Sequence, residues 1–215
     1  VYKKFFGRYI LEQPHSVAYA HIFNIFINSK NGENGELDIM LSTLFNCMSS
    51  IKVASLFSGI GGIDLGFLQA GFDIVFANEI DKCACKTYKK NFPNHYLLEA
   101  DVKKIDPYDI PEFDVLVAGF PCQAFSIAGK QRGFEDKRGS LFFEIERIVE
   151  KRKPKVIFLE NVKNLQEHDD GKTFNKIFAS LAQFGYSVRY KILCPTEYAN
   201  IPQRRERIFI VAFLD

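Results

Sequence analysis

The chain lacks any run of apolar residues long enough to span a bilayer. Its most apolar early stretch, "VAYAHIFNIFI" at residues 17–27, carries His21 and Asn24 and suits an interfacial or core helix. No basic start leads into a clean apolar stretch and cleavage site, so a secretory leader is not expected. The five cysteines, Cys47, Cys83, Cys85, Cys122 and Cys194, form an odd set without CxxC spacing. That set points to a reducing cytoplasm and to no metal site. An excess of one charge is missing too. The 28 basic residues nearly balance 26 acidic ones, for a net charge of +2, so any grip on a polyanion must come from local patches. There is no internal repeat and no long low-complexity tract.

What is present is ordinary globular material. A chain of 215 residues, 47% hydrophobic and 25% charged, fits one sizeable domain or a domain with an appendage. Composition changes near residue 50. Residues 1–50 read as an N-terminal helical extension and linker, broken at "NSKNGENGELD" where Asn and Gly mark a loop. Residues 51–215 read as one domain with a regular rhythm. The runs "KVASLF", "DIVFAN", "DVLVAGF" and "KVIFLEN" alternate with helical spacing at residues 63–70, 82–91 and 141–151. Runs apolar at nearly every position suit strands buried on both faces and joined in parallel by helices. The final segments "YSVRYKILC" and "RIFIVAFL" predict an antiparallel strand at one edge. The expected fold is therefore α/β, an open, mostly parallel, Rossmann-like sheet with an antiparallel edge strand.

Ligands of such sheets gather beyond the carboxyl ends of the strands. There the sequence sets "FSGIGGIDLGF", with Gly59, Gly61 and Gly62 in a strand-to-helix turn, and Glu79 at the end of the next strand. Together they read as a nucleoside pocket in which Glu79 grips ribose hydroxyls; the alternative is a tight connection beside a surface Glu. Asp64 and Leu65 stand where a third glycine would complete a dinucleotide fingerprint, which favours a smaller adenosyl cofactor. Cys122 leaves a buried strand for the loop "GFPCQAFSIAGKQRGFED". An unperturbed thiol ionises near pH 8.5, about one and a half units above neutrality, so the basic residues after it would favour its thiolate. The other cysteines read as small core residues. Glu160 ends an apolar strand, where lost solvation should raise its pKa and keep a proton available for a ring nitrogen; a helix-capping Glu is the equal alternative. "QRRER" at residues 203–207 is either a solvated charge run or part of the site.

In order, "FSGIGG", "NEID", "GFPCQAFSIAG", "ENVKN" and "QRRERIF" resemble the motifs of DNA (cytosine-5)-methyltransferases, from Lys52 to about Phe213. Residues 130–164 are especially similar to HhaI-type bacterial restriction-modification enzymes. The resemblance implies S-adenosyl-L-methionine as methyl donor and a flipped cytosine of double-stranded DNA as acceptor. It implies that Phe57, Gly59, Gly61 and Gly62 line the donor pocket, that Glu79 holds the ribose and that Ile80 covers the adenine. Asp101 and Val102 would meet the adenine edge, with Pro121 and Leu141 completing the wall. The thiolate of Cys122 would add to carbon 6 of cytosine while Glu160 donates to N3. Arg205 and Arg207 would point into the active site and Arg204 would stay on the surface. Residues 123–139 would form a lid over DNA, with Gln123, Ser126, Lys130, Arg132 and Arg138 as contacts.

The family continues into a target-recognition domain and a final strand and helix. The expectation is thus either a fragment or one half of a split enzyme whose second polypeptide carries that domain. Residues 1–50 are expected to be an unrelated helical extension rather than the displaced final helix, since that helix's glycine-asparagine-serine signature is missing. Transfer to tRNA cytosine and a non-catalytic donor-binding module are the competing functions.

Overall fold

The computed structural model describes residues 51–121, 141–199 and 202–215. The expected extension and linker of residues 1–50 lie outside the described residues. From Lys52 onward the chain runs β1 (Lys52–Leu56), α1 (Gly62–Gln69), β2 (Asp73–Glu79), α2 (Lys82–Asn91), β3 (Leu97–Glu99), β4 (Val115–Ala118), α3 (Leu141–Arg152), β5 (Val156–Val162), α4 (Lys172–Gln183), β6 (Tyr186–Leu193), a short α5 (Pro195–Tyr198) and β7 (Arg207–Leu214). The strands form one sheet in the order β3-β2-β1-β4-β5-β7-β6. The first five are parallel, as the apolar runs that form β1, β2, β4 and β5 predict; the short β3, half-buried to exposed, adds to the edge beyond β2.

Alternation along each central strand feeds two cores. Ala54, Leu56, Leu116, Ala118, Ile157 and Leu159 face the side covered by α3 and α4. Val53, Val115, Val117 and Phe158 face the other side, against Phe67 of α1. Helix α3 meets the sheet with Phe142, Ile145, Ile148 and Val149, a spacing that keeps all four on one face. Among the described residues no helix is long and apolar enough to cross a membrane.

The antiparallel strand expected at one edge is β7, which pairs with β5 on one side and β6 on the other. It takes the inner place because it is the more apolar of the two. "RIFIVAFL" is buried at five consecutive positions, while the centre of β6 exposes Arg189, Tyr190 and Lys191.

The chain leaves β1 toward β2 on one flank, and β4 passes it to β5 on the other. This reversal opens a crevice between the carboxyl ends of β1 and β4. Register aligns those ends, since Leu56 pairs with Ala118 and Ala118 with Leu159. Phe57, Gly119 and Glu160 therefore emerge on one rim.

Two arginines of α3 brace the connection from β3 to β4. Arg147 donates to the carbonyls of Ile105 at 2.8 Å and Val102 at 3.1 Å, and pairs with Glu144. Arg152, with 8% of its side chain exposed, donates to the carbonyls of Pro107, Ile110 and Pro111, bonds Glu112 and lies over the Phe113 ring. Hydrogen bonds from a charged donor contribute about 1.5–3 kcal/mol each, and orphaned carbonyls add a penalty. Replacing Arg152 by alanine is expected to lower the unfolding free energy by about 2–4 kcal/mol, read as a lower urea midpoint at an unchanged m-value. An unmoved midpoint would reject the bracing role.

Candidate active site

The turn after β1 is shaped by left-handed backbone. Phe57, Gly59 and Gly61 have φ of 54°, 57° and 91°. Gly61 is required twice over: besides its φ, a Cβ there would lie 2.1 Å from the Phe92 ring. Phe92 cannot retreat easily, since it is 9% exposed and packs on Tyr88 and His95. Gly59 and Gly62, by contrast, have nothing within 4 Å of where a Cβ would stand, so the turn presents bare backbone to open space. Phe57 is half-buried and packs against the core.

Glu79 ends β2 beside this turn. Its Oε2 accepts from Gly59 N at 2.9 Å, and its Oε1 accepts from Ile80 N at 2.8 Å and Asp81 N at 2.9 Å. A carboxylate has about four acceptor positions, so one remains on Oε2 for an incoming hydroxyl. Ile80 and Ile60, 60% and 56% exposed, offer apolar surface nearby in the chain. Asp101 caps the turn at Val102–Lys104 by accepting from Lys103 N at 3.0 Å. Val102 itself is core, 3% exposed, so its side chain faces hydrocarbon rather than the crevice. Pro121 follows β4 and is exposed; Leu141 opens α3 and packs on the core.

On the other flank Glu160 follows Leu159 in β5, with 18% of its side chain exposed. Its Oε2 lies against Gly119, 3.6 Å from where a Cβ there would be. Its Oε1 is 3.0 Å from Arg207 Nε. Burial pushes the Glu160 carboxyl above the ordinary glutamate range, and Arg207 and Arg205 only partly pull it back. The sequence expectation of a raised pKa thus has its physical cause in this geometry. Arg207 also donates to the Glu206 carbonyl, while the Glu206 carboxylate pairs with Lys163 at 3.3 Å. Residues 162–164 and 203–207 line an open cleft of about 440 Å³. Arg204 and Arg205 are exposed there.

The structure brings Glu160, Arg205 and Arg207 together, and sets the turn residues and Glu79 on the same rim. Cys122 and the expected lid contacts Gln123, Ser126, Lys130, Arg132 and Arg138 lie outside the described residues. Sequence reasoning missed two buried groups. Asn161, 4% exposed, donates from Nδ2 to the Phe120 carbonyl at 2.9 Å and accepts from Val162 N at 2.8 Å. Asp64, 1% exposed, accepts from Ser55 and Tyr88. Its spacing of three from the buried Phe67 was the available signal, because that spacing shares a helix face.

The family model of C-5 cytosine-specific DNA methylases matches residues 51–215. The chain belongs to that family. Among curated relatives, the Type II methyltransferase M.Bsp6I of Bacillus sp. (strain RFL6) is 53% identical over 165 residues, covering 76% of this chain and 52% of the relative. M.HhaI of Haemophilus parahaemolyticus is 45% identical over 166 residues, covering 77% and 50%. Among solved structures, a DNMT2 variant of Spodoptera frugiperda superposes with a TM-score of 0.65 at 29% identity, covering 77% of this chain and 50% of its own. The chain spans about half the length of the relatives it matches.

Within this member of the family the two kinds of turn glycine should behave differently. Gly61→Ala drives a methyl into Phe92 from a left-handed backbone and is expected to cost about 2–4 kcal/mol of stability. Gly62→Ala, at the start of α1 with open space around it, is expected to stay within about 0.5 kcal/mol of the parent. Urea titration of both variants checks the contrast, and equal midpoints would contradict it.

Proposed function

We propose that the protein transfers a methyl group from S-adenosylmethionine to carbon 5 of a flipped cytosine in double-stranded DNA. The observation that carries this is the buried Glu160 carboxyl, raised in pKa, on the rim of the sheet against Gly119, three residues before Cys122. The donor fits the turn on three counts. Gly59 and Gly62 leave open space, Glu79 keeps an acceptor for a ribose hydroxyl, and Ile80 bares an apolar face for the adenine. Phe57, Asp101, Pro121 and Leu141 would frame it, with Val102 contributing backbone alone. When bound, the donor supplies an electrophilic methyl group.

Carbon 5 of cytosine is a poor nucleophile while the ring is aromatic. Addition of the Cys122 thiolate to carbon 6 breaks that aromaticity and pushes the electron pair toward N3. Glu160, holding its proton because it is buried, donates to N3 and stabilises the resulting enamine, whose carbon 5 is nucleophilic. Arg207, paired through Nε with Glu160 Oε1, keeps the carboxyl oriented and with Arg205 suits the cytosine O2 or a phosphate. Loss of the carbon 5 proton and departure of the cysteine then restore the ring. Gln123, Ser126, Lys130, Arg132 and Arg138 would close over the DNA. Reading of the DNA sequence is assigned to a target-recognition domain outside these 215 residues, in a longer chain or on a second polypeptide. We place the protein in the cytoplasm, a reading supported by the free thiols Cys83, Cys85 and Cys194.

The test uses duplex DNA containing 5-fluorocytosine, which cannot lose its carbon 5 substituent, together with the donor and a target-recognition domain. A covalent complex stable to denaturing electrophoresis is expected, and none with Cys122→Ala. Trapping by that variant, or methyl label entering tRNA but not DNA, would overturn the proposal. Glu160→Gln should lower kcat by about 10²–10⁴-fold. In the parent enzyme, turnover limited by the protonated acid should fall as pH rises through the raised Glu160 value, and Glu160→Gln should remove that limb.

A further inference from the structure

Beneath the turn lies a buried polar chain that the proposed chemistry does not use. Ser55 Oγ, on β1, donates to Asp64 Oδ1 at 2.6 Å, and Tyr88 OH, on α2, donates to Asp64 Oδ2 at 2.7 Å. Ser58, inside the turn, donates from Oγ to Ser55 Oγ at 3.0 Å and Ser55 O at 3.2 Å. Asp64 and Ser55 are each 1% exposed and Tyr88 is fully buried. A carboxylate so deep is costly unless its oxygens are satisfied, and here they meet the two neutral hydroxyls and the main-chain N–H of Asp64 itself, with no ion pair. The same helix supports the turn at two further points. Asn91 Nδ2 donates to Ile60 O at 3.1 Å, and the Phe92 ring lies beneath Gly61. Ser58 N, for its part, is tied to Asn78 O at 3.0 Å.

We propose that Asp64 is a positioning residue for the methyl donor: its carboxylate, clamped between Ser55 and Tyr88, holds the β1–α1 turn in the shape that receives the adenosyl group. The inference rests on the donor reading of that turn. Its logic is a donor-acceptor count. An ionised Asp64 has acceptors for both hydroxyls. A protonated Asp64 brings a donor into a site that faces it with donors, so it must donate to the Tyr88 hydroxyl oxygen or to the one lone pair that Ser58 leaves on Ser55 Oγ, and that hydroxyl's own hydrogen is turned away from the carboxyl. One hydroxyl-to-carboxylate bond is lost, and where it is that of Ser55, the reoriented hydroxyl weakens its link to Ser58 and so reaches the turn. Preorganisation of the turn is then lost and donor affinity falls.

Burial pushes the Asp64 carboxyl up to about 6, against the opposing pull of the Ser55 and Tyr88 hydroxyls, which brings the switch into an accessible range. The facing groups are Ser55 from β1 and Tyr88 from α2. Tyr88 stays a neutral phenol, because burial and the adjacent carboxylate push it far above the tyrosine range. Beyond it, the ring of His95 is 6.4 Å from that of Tyr88, and burial holds its pKa below the histidine norm.

The experiment measures donor affinity by titration calorimetry with S-adenosylmethionine, for the parent, Asp64→Asn and Tyr88→Phe, at steps between about pH 5 and about pH 7.5. The parent is expected to bind about tenfold more weakly at the acid end, the order of one charge-assisted hydrogen bond. Asp64→Asn, which mimics the protonated acid, should bind weakly throughout and lose the acid step. Tyr88→Phe removes one donor to the carboxylate, so its step should move to higher pH. Glu79 is present in all three proteins and cannot produce the differences between them. Parent-like affinity and an intact step in Asp64→Asn would overturn the proposal. Should that variant fail to fold, a Tyr88→Phe profile superimposable on the parent's overturns it instead. A parent that binds no donor at any pH sinks the donor reading itself, a separate outcome.

Discussion

Register among the three central parallel strands governs everything at the rim. Leu56, Ala118 and Leu159 stand side by side, so the residues just after them leave the sheet together: Phe57 into the glycine turn, Gly119 toward Cys122, and Glu160 at the crevice wall. A slip of one residue in β5 would send Glu160 to the opposite face and put a hydrocarbon side chain in its place. That register is enforced from below by strands buried on both faces, where any slip would expose apolar groups to the wrong core. The packing of the sheet and the placing of the chemistry are therefore one constraint.

Three carboxyl groups around the rim show how local partners divide the work. Glu79 receives three main-chain N–H groups and so shapes the turn while keeping one acceptor position open. Glu160 pairs with the Arg207 guanidinium and feels that of Arg205, and desolvation outweighs both, leaving a carboxyl that retains its proton more readily than an ordinary glutamate. Asp64 sits deepest, held by two hydroxyls, and reaches the rim through Ser55 and Ser58. The proposed acceptor, proton donor and brace differ in burial and in the charge of their neighbours, and not in their functional group.

Much of this could be read from the chain because the relevant signals were local. Strands apolar at nearly every position announced a doubly covered parallel sheet, and Glu160 announced a raised pKa by ending such a strand. What could not be read depended on contacts distant in sequence. Gly61 is needed because of Phe92, which arrives from the far end of α2. Arg147 and Arg152 look like solvated charges at a helix end, yet they reach carbonyls some 40 residues back. Helix α1 hides Asp64 because its face is too short and too glycine-rich to show a clear period. The order of β6 and β7 was open as well, since adjacency in sequence does not say which strand lies inside; burial decided it.

The strand carrying Glu160 is also tied to the chain that follows β4. Asn161 uses its amide oxygen on Val162 N, which sets the orientation of the group, and spends its NH₂ on the carbonyl of Phe120. That bond joins the strand carrying Glu160 to the chain two residues ahead of Cys122. In the proposed reaction N3 and carbon 6 of the pyrimidine lie across the ring from each other, so its two groups would have to approach from opposite sides with a fixed separation. A displacement of about 1 Å can cost a reaction of this kind about a hundredfold. Because Asn161 moves with Glu160 and holds the Phe120 carbonyl, a shift of β5 carries the end of β4 with it, and the spacing of the two strand ends survives motions that would spoil it if the strands were joined by packing alone.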